Sequence, residues 1–354
     1  MSEMNSQTSA LRSALAKHPS VTLGHHPTPI DHLANLSADL GITLLAKRDD
    51  CNGLAFGGNK VRQLEYYMGA ALATGADTVL VTGAVQSNFV RTTAAAAAKL
   101  GLASEVQLED RVPGTDALQQ RSGNVLLSEM LGAGINYFPE GENEAAADAA
   151  LDVRAAELRA AGRKPYVFHL GSDHEPTGGL GYAACAAEIL EQLDGDLPDA
   201  VVIPSGSGLT HAGFLVGARA CGWDVPVIGI CVRRDAGLQR TRIGNRARQI
   251  ASLLDHDDLI QEADVIIRDD VLAPGYGQLN DSVTHAIDIT ARREALFLDP
   301  VYSGRTVAGL IDCLNTGVIQ PGSKALMIHT GGNPGVFAYQ SKLATVLDRV
   351  NPVA

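Results

Sequence analysis

Two rhythms of apolar residues alternate along this chain. Short runs rich in apolar and β-branched residues predict strands over Ile42 to Ala46, Thr78 to Val81, Glu105 to Leu108, Ile135 to Phe138, Tyr166 to Leu170, Ala200 to Pro204, Val225 to Cys231 and Leu326 to Ile328. Between them, apolar positions recur every three or four residues, as in Val61, Leu64, Met68, Ala71 and Leu72. This spacing predicts a helix after Lys60, and others over Leu33 to Leu40, Val90 to Leu100, Asn124 to Leu131, Glu144 to Ala161, Gly179 to Leu193, His211 to Ala220 and Leu238 to Leu254. Strands that alternate with helices imply parallel sheets covered on both faces, and there are too many strands here for one sheet. Two α/β units are expected.

Several strands run straight into a glycine-bearing turn that opens a helix: Thr82 to Asn88, Ser205 to Thr210, and His329 to Pro334. Such a junction points free backbone N–H groups and a helix dipole at one place, which suits a carboxylate or phosphate. In Ser205-Gly206-Ser207-Gly208-Leu209-Thr210 three hydroxyls add further donors, and the missing Gly-Lys-Ser/Thr ending argues for a small phosphate ester over a nucleoside triphosphate. A tight turn without a ligand fits the same residues equally well. Ligands of open α/β sheets gather at the carboxyl ends of strands, so the turns together point to one shared cleft. Gly57-Gly58-Asn59-Lys60 adds an amine beside a glycine turn, which can form a Schiff base and be reused as a base. Taken alone, the tetrapeptide fits a surface lysine opening a helix better.

The remaining segments read more plainly. Lys47-Arg48-Asp49-Asp50 and the charged face of Leu238 to Leu254 are expected to be solvated, and Ser2 to Ser20 to form at best a loosely attached helix. Tyr276 and Tyr302 sit on glycine-flexed loops, where packing is the default role.

Composition narrows the function. A chain of 354 residues with 45% hydrophobic side chains can bury a large core, and a net charge of −12 with a pI near 5.2 argues against nucleic acid. The five cysteines, Cys51, Cys185, Cys221, Cys231 and Cys313, have no metal-ligand spacing and no even count, so neither a metal nor a disulfide framework is expected. They read as thiols in a reducing compartment. The first twenty residues contain no unbroken apolar run, so a cytoplasmic protein without a membrane span is expected.

Six ordered motifs then carry a resemblance: Lys47-Arg48-Asp49-Asp50, Gly57-Gly58-Asn59-Lys60, Gln86-Ser87-Asn88, Gly275-Tyr276-Gly277, Pro300-Val301-Tyr302 and His329-Thr330-Gly331-Gly332. From about Pro27 to Phe337 the chain resembles the fold-type II pyridoxal-phosphate enzymes, in the branch holding D-cysteine desulfhydrase, L-cysteate sulfo-lyase and 1-aminocyclopropane-1-carboxylate deaminase. The resemblance implies a tryptophan-synthase-beta-like fold with a large cofactor-binding domain over 1–57 and 172–354 and a small domain over 58–171. It also implies a homodimer, a small amino-acid substrate and pyridoxal 5'-phosphate as cofactor.

By the same resemblance, Lys60 carries the cofactor and moves protons at Cα, and Asn88 bonds the cofactor's phenolic oxygen. Ser87 matches the site for the substrate carboxylate. Ser205, Gly206, Ser207, Gly208, Leu209 and Thr210 match the phosphate cradle, Thr330 and Ser303 the cofactor surroundings, and Tyr276 and Tyr302 the substrate pocket. The cyclopropane deaminases typically carry glutamate at the position of Ser303 and leucine at that of Thr330. A neutral hydroxyl at the pyridine nitrogen favours simple β-elimination over ring opening. The implied activity is that of a carbon–sulfur lyase, D-cysteine desulfhydrase-type first, with L-cysteate sulfo-lyase, the cyclopropane deaminase and a β-replacement synthase as alternatives. Phe89 departs from the histidine or glutamine usual after Gln-Ser-Asn, which puts the substrate in doubt unless the ring packs behind the loop.

Overall fold

The computed structural model describes residues 2–169, 171 and 174–350. Ten strands are present among them: β1 (Ile30–His32), β2 (Thr43–Arg48), β3 (Thr78–Ala84), β4 (Ala103–Glu109), β5 (Gly134–Phe138), β6 (Pro165–Phe168), β7 (Ala200–Ser205), β8 (Val227–Cys231), β9 (Ile266–Arg268) and β10 (Lys324–His329). A six-stranded sheet has the order β1-β2-β10-β7-β8-β9, and a four-stranded sheet the order β5-β4-β3-β6. Every pairing is parallel except β1 with β2. All residues of β3, β7 and β8 are buried, as strands covered by helices on both faces must be.

The expected alternation is therefore present, with boundaries moved by one to three residues. Two strands escaped the sequence reading, β1 and β9, each only three residues long and at a sheet edge. Leu170, the expected end of β6, lies outside the described residues.

Three expectations of loosely held or solvated segments are corrected, the second only in part. The helix Ser2–Leu15 is docked: Leu11 and Leu15 are 1% and 4% exposed and join the core formed with the helices Leu180–Leu193 and Leu209–Ala220. Met4, Thr8, Leu11 and Leu15 recur at helical spacing, a narrow stripe hidden by an otherwise polar composition. In the helix Ala236–Leu253, Arg240 and Arg248 are exposed as expected, but Gln239 and Arg246 are buried.

Lys47-Arg48-Asp49-Asp50 is the third. Lys47 and Asp49 are wholly buried, in a cluster that also contains Arg62 and Glu188. Lys47 Nζ donates to Glu188 Oε1 at 2.5 Å, and Arg62 donates to Asp49 (2.9 Å) and to Glu188 (2.8 and 3.0 Å). Thr28 and Tyr182 hydroxyls complete the shell of Asp49. Two cations face two carboxylates, so the cluster is neutral and can be tolerated out of water. It ties β2 and the helix Leu180–Leu193 to the helix Asn59–Ala73, two residues beyond Lys60.

Candidate active site

Four parallel strands, β3, β4, β7 and β8, end around one cavity, as topology predicts for open α/β sheets. Lys60 reaches it through a turn that only glycine can make. Gly57 and Gly58 have φ of 65° and 116°, and a Cβ on Gly58 would lie 2.9 Å from the Thr330 carbonyl oxygen. The Asn59 N–H donates to that same oxygen at 3.1 Å, so the lysine turn is seated directly on the end of β10.

Lys60 Nζ has no carboxylate partner among the described residues. It lies 3.5 Å from Gln63 Oε1 and 5.7 Å above the ring of Phe89. Burial without a counter-charge pushes its pKa down to about 8. A largely desolvated amine near neutrality is what imine formation and proton transfer need.

Opposite it, β3 gives way to the helix Asn88–Leu100, capped by the Ser87 hydroxyl, which accepts from the Val90 N–H at 3.3 Å. Ser87 and Asn88 both line the cavity. Phe89 does pack behind the loop: it is 3% exposed and meets Tyr67 edge to face at 6.0 Å. It also forms the wall facing the lysine.

The turn after β7 divides its residues. Gly206, Ser207, Gly208 and Thr210 line the cavity. Ser205 and Leu209, expected in the phosphate cradle, do not. Ser205 Oγ is held beneath the turn by His211 Nδ1 (3.1 Å) and by the Gln239 side-chain amide (2.8 Å), and Leu209 packs into the core of the smaller sheet. Thr210 Oγ1 accepts from Asn59 Nδ2 and Gln63 Nε2, both at 2.8 Å. Both lone pairs are then used, so its hydrogen is free to be donated.

Tyr276 and Tyr302 meet hydroxyl to hydroxyl at 2.8 Å on the cavity wall. Burial, with Tyr276 alongside, raises the Tyr302 pKa well above the ordinary phenol value, so Tyr302 stays a neutral hydroxyl. Ser303 is placed otherwise than expected: it does not line the cavity, and its hydroxyl is committed to Asp299, at 2.7 Å to both the backbone N–H and Oδ1. Thr330, expected beside the cofactor, does not line the cavity either; it is 4% exposed just past the end of β10, and its hydroxyl has no hydrogen-bond partner among the described residues.

Charged residues the sequence reading missed complete the wall. Glu109, fully buried, receives the Thr82 hydroxyl (2.7 Å) and Arg111 Nε (2.7 Å). Arg233 and Arg234 both donate to Glu144 Oε1 at 2.5 Å, and Arg242 Nε holds the Ser207 carbonyl at 2.9 Å. Glu109 is the last residue of β4, and Arg233 lies two past the end of β8. Inspecting the residues just beyond each strand's carboxyl end is the signal that finds them. Asp148, also in the wall, brings a carboxylate oxygen within 4.8 Å of His169 and His174 nitrogens, the one grouping among the described residues with metal-ligand composition.

These residues suit pyridoxal phosphate. The cavity has an amine with no carboxylate partner among the described residues and a pKa of about 8, facing a glycine turn that opens a helix beside basic side chains.

Comparison with known proteins agrees. A family profile described as "Pyridoxal-phosphate dependent enzyme" matches residues 21–331. The chain is 42% identical over 330 residues to a 1-aminocyclopropane-1-carboxylate deaminase of Burkholderia vietnamiensis, covering 92% of this chain and 97% of that one. It is 39% identical over 331 residues to a D-cysteine desulfhydrase of Klebsiella pneumoniae, covering 93% and 98%. The solved structure of an ACC deaminase homologue superimposes with a TM-score of 0.84 at 35% identity, over 95% of this chain and 98% of that one. An L-serine ammonia-lyase from Rhizomucor miehei, at 18% identity and a TM-score of 0.63, shares the fold. With the amine, the strand-end turns and the matched span in agreement, the chain belongs to the pyridoxal-phosphate dependent enzymes.

Proposed function

We propose that this enzyme is a β-eliminating, deaminating lyase acting on a small amino acid, with D-cysteine as the first candidate and pyruvate, ammonia and sulfide as products. The observation that carries the reading is the half-buried Lys60 amine, with no carboxylate partner among the described residues and a pKa near 8, set between the helix N-terminus at Ser87-Asn88 and the turn 206–210. When bound, pyridoxal phosphate supplies an aldehyde for that amine and an electron-withdrawing ring that makes a substrate Cα proton acidic. Lys60 holds the cofactor, and its freed amine takes the Cα proton. Ser87 and the N–H groups of its helix hold the substrate carboxylate. Gly206, Ser207, Gly208 and Thr210 would hold the phosphate and Asn88 the phenolic oxygen, and Thr330 is the neutral hydroxyl that the resemblance assigns to the pyridine nitrogen. Tyr276, oriented by Tyr302, hydrogen-bonds the departing β-substituent. Phe89 keeps water from the amine.

The similarity to proteins named 1-aminocyclopropane-1-carboxylate deaminase supports ring opening as the second reading. Against it stand Thr330 and Ser303, where a leucine and a glutamate mark that activity by resemblance. Residues 1–57 and 172–354 are read as the large domain, 58–171 as the small one, and the working form as a cytoplasmic homodimer; no helix among the described residues is long and apolar enough to cross a membrane.

Purified enzyme offered D-cysteine, L-cysteine, L-cysteate, 3-chloroalanine and 1-aminocyclopropane-1-carboxylate is expected to release pyruvate from D-cysteine. Release of 2-oxobutyrate from the cyclopropane substrate alone establishes the second reading, and no keto acid from any of the five removes both.

A further inference from the structure

We propose that Arg91 and Asn124, neither of which lines the cavity, are positioning residues that decide which atom Asn88 presents to it. The inference rests on the reading that Asn88 faces the cofactor's phenolic oxygen.

An asparagine side chain is nearly symmetric in shape and carries an acceptor on one side and two donors on the other, so its chemical meaning depends on its neighbours. At Asn88 those neighbours leave no choice. Arg91, fully buried on the same helix, donates from Nε to Asn124 Oδ1 at 3.1 Å. A guanidinium has no acceptor, so the Asn124 atom facing it must be the oxygen. The Asn124 Nδ2 group then has two hydrogens to place. One goes to the Gln86 carbonyl at 3.0 Å and the other to Asn88 Oδ1 at 2.9 Å.

Gln86 locks the arrangement from the other side. Its Oε1 accepts the Asn124 backbone N–H at 3.0 Å, and its Nε2 donates to the carbonyls of Gln119 (2.6 Å) and Ser122 (2.9 Å). With Oδ1 of Asn88 turned toward Asn124, the Nδ2 group lies on the far side, 2.9 Å from where a Cβ on Gly332 would be. Asn88 thus offers donors, and its partner in the cavity must be an acceptor, as an anionic phenolic oxygen is.

Arg91 also has a second hold. Its Nη1 donates to the carbonyls of Ala55 and Gly57, the latter at 3.3 Å, in the turn that leads to Lys60. Burial lowers its pKa to about 10, which still leaves it charged, and a donor, at neutral pH. One buried cation therefore sets the lysine turn and, through Asn124, the amide of Asn88. Both partners are sealed from water, Asn124 being 1% exposed, so no solvent molecule can substitute for a lost bond.

The test uses holoenzyme and reads the pH midpoint of its visible absorbance, which reports a proton shared between the linked lysine nitrogen and the phenolic oxygen. A donor on that oxygen makes it a poorer holder of the proton, so losing the donor moves the midpoint up. Asn124→Asp replaces the donor facing Asn88 by an acceptor and forces the Asn88 amide to turn over. The midpoint is expected to rise by about one unit or more, the size of one lost hydrogen bond to a charged group. Asn88→Ala should give a rise of similar size, and the double variant no further rise, since both act through one contact. If Asn124→Asp fails to fold, Asn124→Ala, which removes the orienting group without adding charge, is expected to raise the midpoint too. Folded Asn124 variants with the wild-type midpoint, or a double variant whose shifts add, overturn the proposal. Wild-type protein that forms no visible band with pyridoxal phosphate overturns the functional reading itself.

Discussion

Gly58 and Thr330 meet backbone to backbone: the Thr330 carbonyl accepts the N–H that follows Gly58, and a side chain on Gly58 would start 2.9 Å from that oxygen. The lysine turn and the end of the central strand β10 are therefore one structural unit, although they stand 272 positions apart in the sequence. Gly58→Ala meets both this contact and a φ of 116°, and should lower stability by about 1–3 kcal/mol. Denaturant unfolding measures the loss. Cofactor titration should show weaker binding at the same time, because Lys60 is displaced; a variant with wild-type values in both experiments contradicts the contact.

The cluster of Lys47, Asp49, Arg62 and Glu188 holds the Lys60 helix against the larger sheet. Arg62→Met leaves Asp49 buried without its chief partner and should cost about 3–5 kcal/mol in a denaturant melt.

The same cluster sets a pH limit. Burial opposes ionisation of Glu188, but the hydrogen bonds and charge of Arg62, with Lys47, outweigh it and bring the pKa from 4.5 to about 2. A carboxylate whose pKa is lower in the folded state contributes stability that is fully present above the unfolded value. That stability is lost as pH falls from about 4.5 through about 2. Glu188→Gln should flatten the stability profile in this window, and an unchanged slope contradicts the assignment.

Lys60 predicts a different pH dependence. Only the neutral amine captures an aldehyde, so the rate at which apoenzyme takes up pyridoxal phosphate should rise with pH and level off above about 8. Stopped-flow absorbance follows it. A rate still climbing steeply at pH 10 indicates an ordinary, solvated lysine.

The tyrosine pair separates two roles. With Tyr302 held as a neutral phenol, Tyr276 is the hydroxyl assigned to the leaving group. Tyr276→Phe should slow turnover of a substrate with a poor leaving group by roughly 100-fold, and that of 3-chloroalanine only a few-fold. Equal losses on both substrates would mean that the ring serves packing alone.

Much of this was legible in the sequence, because parallel strands and their covering helices advertise themselves by local apolar rhythm. The glycine turns after β3 and β7 were visible for the same reason and do border the cavity, whereas the turn after β10 supports the lysine turn without lining the cavity. What stayed hidden depends on distant partners. Lys47 and Asp49 look like a solvated run until Glu188 and Arg62 arrive from 141 and 13 residues away. The direction of a single side chain was hidden too: Ser205 opens a turn that borders the cavity, but its hydroxyl faces His211 beneath it. Glu109 was missed because β4 runs one residue past the expected end, and that residue is the one at the cavity. Phe89 has both roles weighed for it, as core ring and as cavity wall.

The most direct test is to load the protein with pyridoxal phosphate, reduce it with borohydride and map the modified peptide by mass spectrometry. A single stable adduct on Lys60, absent in Lys60→Ala together with the visible band and keto acid release, is the predicted result. An adduct on another lysine, or a Lys60→Ala protein that keeps the band, contradicts the account.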